Sequence, residues 1–183
     1  MDAHRCADDI EVRDDDVPDQ RCHAVSRPAG GWQGRHGGSG RGDHEDPGTA
    51  TNGVISIVEH PVAPRILVPP HVHQDNDEWS YILEGRIGAR IGDAEFIAEA
   101  GSYILKPRRI PHTFWNPDDR PARILEIITP SGLEEMFAKF GELGARGELT
   151  PQTMGATAGQ YGSKVSMDWV PELVARYGLT LMG

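Results

Sequence analysis

Residues 69–85 read PPHVHQDNDEWSYILEG, and this stretch decides the fold. His71 and His73 stand two positions apart. In a strand, side chains at i and i+2 point to the same face, so the two imidazoles lie close enough to share a metal ion. Glu78 follows His73 by five positions, which in one unbroken strand puts it on the opposite face. The polar run Gln74-Asp75-Asn76-Asp77 between them is the natural place for a turn that resets the alternation. Glu78 then opens the next strand with its carboxylate aimed back at the histidines. A second stretch, GSYILKPRRIPHTFWN at 101–116, supplies His112 directly after Pro111, whose ring fixes the backbone there. Three neutral imidazoles and one carboxylate make a mixed nitrogen and oxygen donor set, suited to one divalent transition metal ion: Fe, Ni, Mn, Cu or Zn. Such a set leaves coordination positions open to water, substrate or dioxygen.

The surroundings of both stretches read as short strands. Residues 54–59 (VISIVE) and 65–68 (RILV) are rich in β-branched residues. Residues 78–83 run to Glu84-Gly85, a hairpin signal. Ile87, Ala89 and Ile91 alternate with Gly88 and Arg90 before a turn at Gly92-Asp93. Runs at 95–98, 102–105, 112–115 and 122–128 complete a series whose even spacing predicts an antiparallel sandwich or barrel. By the same alternation Ser80 and Ile82 share the face of Glu78, and Phe114 that of His112, so these three are candidate pocket walls. Trp79, Tyr81 and Trp115 face the other way. After residue 130 the period becomes helical. Ser131 and Glu134 have capping-box spacing, and Leu133, Met136, Phe137 and Phe140 form one apolar stripe that ends at Gly141 or Gly144. Residues 150–166 read as a loop, and 171–177 (PELVARY) as a short helix stopped by Gly178.

The first fifty residues differ in texture. They carry the acidic runs Asp8-Asp9 and Asp14-Asp15-Asp16, a glycine-rich stretch from Gly30 to Gly42, and few large apolar side chains. Such a segment buries too little surface to offset the entropy of ordering, so residues 1–50 are expected to form a disordered or partly ordered leader. Its His4, Cys6, Cys22, His23, His36 and His44 have no regular metal-ligand spacing. Two cysteines make no disulfide scaffold. A net charge of −10 repels nucleic acid and anionic membrane surfaces. There is no spanning apolar run and no signal-peptide core, so the expected location is cytoplasmic.

In the order and spacing of its motifs the chain resembles the cupin superfamily, specifically small monocupins of the quercetinase-like, conserved-barrel kind. The first family motif is matched as His71-x-His73-x-x-x-x-Glu78, six residues, then Gly85. The second is matched as Gly101, five residues, Pro107, then His112, three residues, and Asn116. Arg65 and Arg109 stand where the motifs usually carry glycine. The resemblance implies an all-β double-stranded β-helix (a jelly-roll cupin barrel) over residues 51–130, with residues 131–183 a C-terminal helical extension packed on it. It assigns His71, His73, Glu78 and His112 as ligands of the metal and gives Glu78 a possible second, catalytic role as proton acceptor. The implied activity is that of a metal-dependent, dioxygenase-like oxidoreductase acting on a small organic molecule. A metal-dependent isomerase or decarboxylase and a non-catalytic small-molecule-binding module stay open beside it. No helix-turn-helix is attached, and a homodimer is the expected assembly.

Overall fold

The structure is a computed structural model that describes residues 47–182. The leader and its scattered histidines and cysteines therefore lie, up to residue 46, outside the described residues. A single helical turn, α1 (Pro47–Ala50), leads into nine strands: β1 (Ser56–Val62), β2 (Ile66–Leu67), β3 (His71–His73), β4 (Asp77–Glu84), β5 (Arg86–Ile91), β6 (Ala94–Glu99), β7 (Tyr103–Lys106), β8 (His112–Trp115) and β9 (Ala122–Thr129). Helices α2 (Leu133–Ala145), α3 (Pro151–Gln160) and α4 (Val170–Tyr177) follow, with β10 (Ser163–Val165) and β11 (Thr180–Leu181) between and after them. Among the described residues no helix is long and apolar enough to cross a membrane.

The strands form the double-stranded β-helix. One sheet runs β1-β9-β4-β7, antiparallel throughout. The other centres on β8, which pairs with β5 along one edge and with β2 and β3 along the other; β6 extends β5, while β10 and β11 extend β3 and β2. Strict alternation of side chains aims Ala122, Ile124, Glu126 and Ile128 of β9, and Glu78, Ser80 and Ile82 of β4, at the interior. One end of that interior is apolar, built from Val62, Ile82, Ile87, Ala89, Ile104, Ala122 and Ile124. The register gathers the polar residues at the other end, with Glu78 beside Lys106 and Ser80 beside Glu126.

The outside of the second sheet is covered by α4. Leu173 and Leu179 bury Leu67 and Trp115, whose indole lies against the Tyr177 ring with centroids 5.0 Å apart. A Cβ at Gly88 would overlap that indole, so glycine is required where β5 passes Trp115. Leu133 and Met136 of α2 and Ala158 of α3 pack with Ile128 and Val58 over another part of the barrel wall.

Four local expectations need correction. Glu84-Gly85 is not a hairpin, because β4 and β5 belong to different sheets. Gly85, at φ 79, is the corner where the chain crosses between them, and its local signal is the same for either kind of reversal. Helix α2 runs through Gly141 and Gly144 to a cap at Arg146, beyond which Gly147 takes φ 69. Its packing with Leu133 and Met136 outweighs about 1 kcal/mol of lost propensity per glycine. The N-cap is Gly132 rather than Ser131, and Glu134 accepts from the Gly132 N–H and from Ser56 Oγ. Residues 150–166 are not a loop. Thr150 and Thr153 form a reciprocal capping box with Pro151 in the first turn of α3, and β10 follows.

Arg65 and Arg109 keep the left-handed backbone that glycine usually supplies, at φ 56 and 64. For an L-residue that conformation costs about 1–2 kcal/mol. Each is held by neighbours. Arg65 donates its N–H to the Asp118 carbonyl and pairs its guanidinium with both Asp119 carboxylate oxygens at 2.8 and 3.2 Å. Arg109 donates its N–H to the His73 carbonyl at 2.7 Å, which pins the 107–111 loop to the end of β3.

Candidate metal centre

Strand pairing sets the site. In the β3–β8 register His71 lies directly opposite His112, and β10 places Ser163 opposite His73. Each imidazole is oriented through Nδ1. His71 Nδ1 donates to the Pro69 carbonyl at 2.8 Å and His112 Nδ1 to the Ile110 carbonyl at 2.9 Å. A carbonyl only accepts, so in both rings the lone pair is left on Nε2. His73 Nδ1 is hydrogen-bonded to Ser163 Oγ at 2.6 Å. The ring centroids stand 4.4–5.2 Å apart.

Glu78 opens β4 with its side chain turned toward these rings, its Oε2 lying 3.2 Å from His73 Nε2 and 3.6 Å from His112 Nε2. One ligand atom from each of His71, His73, Glu78 and His112 falls within 4.8 Å of the other three. All but His71, which is half-buried, are buried. His112 Nε2 is buried with no hydrogen-bond partner. An orphaned lone pair in a ring locked from behind, beside the His71 and His73 rings and a carboxylate, is the arrangement that a divalent cation satisfies. The residues present fit a metal.

The electrostatics hold these groups in ligating form. His71 is pushed well below the ordinary histidine value, first by loss of solvation and then by its neighbours His112 and His73. Burial also lowers His112, against the pull of Glu78. Burial works against a charged Glu78, but the Lys106 ammonium, together with the neighbouring His112 and His73 rings, outweighs it and holds the carboxyl well below its usual range. The site thus disfavours charge on His71 and His112 and favours it on Glu78.

Lys106 and Glu126 are the functional groups that the motifs do not contain. Lys106 is 1% exposed, with its Nζ 3.1 Å from Glu78 Oε2 and 2.9 Å from each oxygen of Glu126. Burial opposes its charge, and the two glutamates overcome that and raise it. A signal was present in the sequence: both residues occupy the inward phase of strands whose other inward positions are mostly apolar. His60 of β1 is a third such residue. It is half-buried, edge-on against Phe137, with its buried Nε2 unpartnered among the described residues.

The candidate pocket-wall residues differ in where they lie and in role. Ser80 is buried and donates to Glu126 Oε1 at 2.9 Å. Ile82 lies in the apolar end of the barrel. Phe114 is half-buried, with its ring face 4.9 Å from the Lys106 ammonium. Arg65 is engaged with Asp119, and the Arg109 guanidinium reaches the Gln74 carbonyl at 3.3 Å.

A family model described as a cupin domain matches residues 61–128. The tetracenomycin polyketide synthase protein TcmJ of Streptomyces glaucescens is 30% identical over 81 residues, which is 44% of this chain and 53% of that one. The match thus spans about half the length of that curated relative. Among solved structures, a Thermus thermophilus protein is 27% identical, with 43% of this chain and 74% of that one covered at a TM-score of 0.41. A Klebsiella pneumoniae protein with a double-stranded β-helix domain is 16% identical, with 43% and 69% covered at a TM-score of 0.40.

Proposed function

The chain belongs to the cupin superfamily, and from that premise we propose that it is a metal-dependent enzyme, a dioxygenase-like oxidoreductase acting on a small organic molecule. The carrying observation is the convergence of His71, His73, Glu78 and His112 with the ring nitrogens behind them already engaged. A divalent ion bound there supplies Lewis-acid and redox chemistry to a substrate oxygen. The protein supplies the rest. The three histidines would hold the ion, Glu78 would accept a proton or complete the donor set, and half-buried Phe114 offers an apolar ring against which a planar substrate can lie. With neutral histidines, the interior charges of Glu78, Glu126 and Lys106 sum to −1, and a dication makes the site +1. This favours a substrate presenting one anionic oxygen, such as an enolate, a phenolate or a carboxylate.

Elemental analysis of the protein as isolated should find one divalent transition ion per chain. His112→Ala should lower metal affinity by about 100-fold or more without changing the far-UV circular dichroism, because it removes a buried ligand from an otherwise intact sheet. Full metal occupancy in that variant would exclude the donor set. Oxygen uptake by the Fe(II)- or Ni(II)-loaded protein with flavonols, enediols, diketones and polycyclic phenolic polyketides then tests the reaction class; the last are included because of the likeness to the tetracenomycin protein. Tight binding of an unreacted compound with no uptake selects the binding module instead. A second reading, metal-dependent isomerisation or decarboxylation, is favoured by the protic Lys106–Glu126–Ser80 group beside Glu78. It predicts deuterium incorporation from solvent into substrate without oxygen consumption.

For assembly, we infer that two copies pair through the outer face of the β1-β9-β4-β7 sheet. Its cross-strand rows are Ile57, Ile127, Trp79 and Leu105, then Glu59, Leu125, Tyr81 and Tyr103. Seven of these eight side chains are apolar or aromatic, and Tyr103 is 67% exposed. A continuous apolar face of this kind marks an interaction surface. Equilibrium sedimentation should show a dimer that Tyr103→Lys combined with Leu105→Lys converts to a metal-binding monomer. A monomeric parent protein would overturn the assignment.

A further inference from the structure

Resting on the metal-centre reading, we propose that Lys106 is a positioning residue that competes with the metal for the Glu78 carboxylate and so makes Glu78 a displaceable ligand. Of the two Glu78 oxygens, Oε2 is the one that faces His73 Nε2 and His112 Nε2, and it is this oxygen that Lys106 Nζ meets at 3.1 Å. The ammonium and a cation shared by the imidazoles would therefore both claim that one oxygen. Lys106 has no route to solvent. It is 1% exposed, its Nζ is 2.9 Å from both oxygens of Glu126, and the Phe114 ring lies 4.9 Å away. Glu126 is fixed in turn by Ser80, which donates to its Oε1.

Two consequences follow from this geometry. Without metal, Lys106 keeps the Glu78 carboxylate charged and in place, so the donor set is preassembled. With metal, the ammonium gives Glu78 an alternative partner, so a substrate oxygen can take its coordination position without leaving a bare buried carboxylate. Glu126 sets the balance, because every interaction it makes with Lys106 weakens the hold of Lys106 on Glu78.

The test is Co(II) affinity, measured by chelator competition, together with the visible Co(II) spectrum, which reports the donor set. Glu126→Gln keeps the shape and the Ser80 contact but leaves Glu78 as the only carboxylate paired with Lys106 among the described residues, so Co(II) affinity should fall by about 10-fold. Lys106→Met combined with Glu126→Gln removes the competitor, so affinity should rise above the parent by about 10-fold or more, with a spectrum shifted toward full carboxylate ligation. Adding Glu78→Gln to that double variant should abolish the gain. An ion pair serving structure alone predicts losses of the same sign in both variants. Equal losses, or a double variant that binds no tighter than the parent, overturn the proposal. Should the double variant not fold, an unchanged or increased affinity in Glu126→Gln alone does so. The metal-centre reading is judged separately, by whether the parent protein binds one Co(II) at all.

Discussion

Lys106→Ala, made alone, should destabilise the metal-free barrel by about 3–5 kcal/mol, since it strands charges in the interior. The side chain is one of the largest fully buried groups, and among the described residues its ammonium is the one Lys or Arg cation touching Glu78 and Glu126, themselves 2% exposed. Removing it leaves two carboxylates facing each other across the space it occupied, with Ser80 and the imidazoles as their partners among the described residues. Urea unfolding with chelator present measures the effect. Lys106→Met with Glu126→Gln should recover much of the loss, because both ends of one pair are then neutral and similar in volume. A change below about 1 kcal/mol for the single variant would mean that water reaches the pair and screens it.

Acid should unfold the metal-free protein steeply, starting near pH 6.5. His71, His112 and His60 all sit below the ordinary value of 6.5 in the folded chain, chiefly because burial disfavours their charged forms. Below that pH the unfolded chain takes up protons that the folded chain refuses, so stability falls as pH falls. Each such group contributes a slope of about 1.4 kcal/mol per pH unit, and three together about 4, until the folded values are reached. Glu78 adds a second stage with the same direction. Its folded carboxyl is held below the usual 4.5, so the stability it contributes is present above that pH and is lost on further acidification. Denaturation midpoints at pH 8, 6.5 and 5.5 with chelator present would show the trend, and equal midpoints at pH 8 and 5.5 would refute it. Bound metal should raise the midpoints without flattening the first stage, because ligated rings still refuse the protons that the unfolded chain takes up.

Much of the site was legible because alternation along a strand is a local rule. His71 and His73 on one face, the turn before Glu78, and Ser80 and Ile82 on the phase of Glu78 need only a count by twos. His112 was reachable through its motif, but its place opposite His71 is a property of strand pairing across forty-one positions, which no local count supplies. Lys106 and Glu126 were overlooked because each reads alone as a solvent-facing charge; only the pairing of β4 with both β7 and β9 shows that they meet. The corner at Gly85 was misread for a related reason. A turn residue states that the chain reverses but not which sheet receives the next strand. Helix α3 was missed because Gly155 and Gly159 mask a helix whose support comes from Met154 and Ala158 packing inward.

The tail beyond the barrel therefore has a bearing on where this protein can be cut. Residues 163–165 add a strand beside His71 and His73, and the Ser163 hydroxyl is what braces the back of the His73 ring; residues 180–181 likewise seal the edge of β2. A fragment trimmed to the span shared with its relatives would keep every donor in its covalent order yet leave one imidazole free to spin. The contacts that orient the candidate ligands thus reach beyond residues 61–128, the span that the cupin domain model matches.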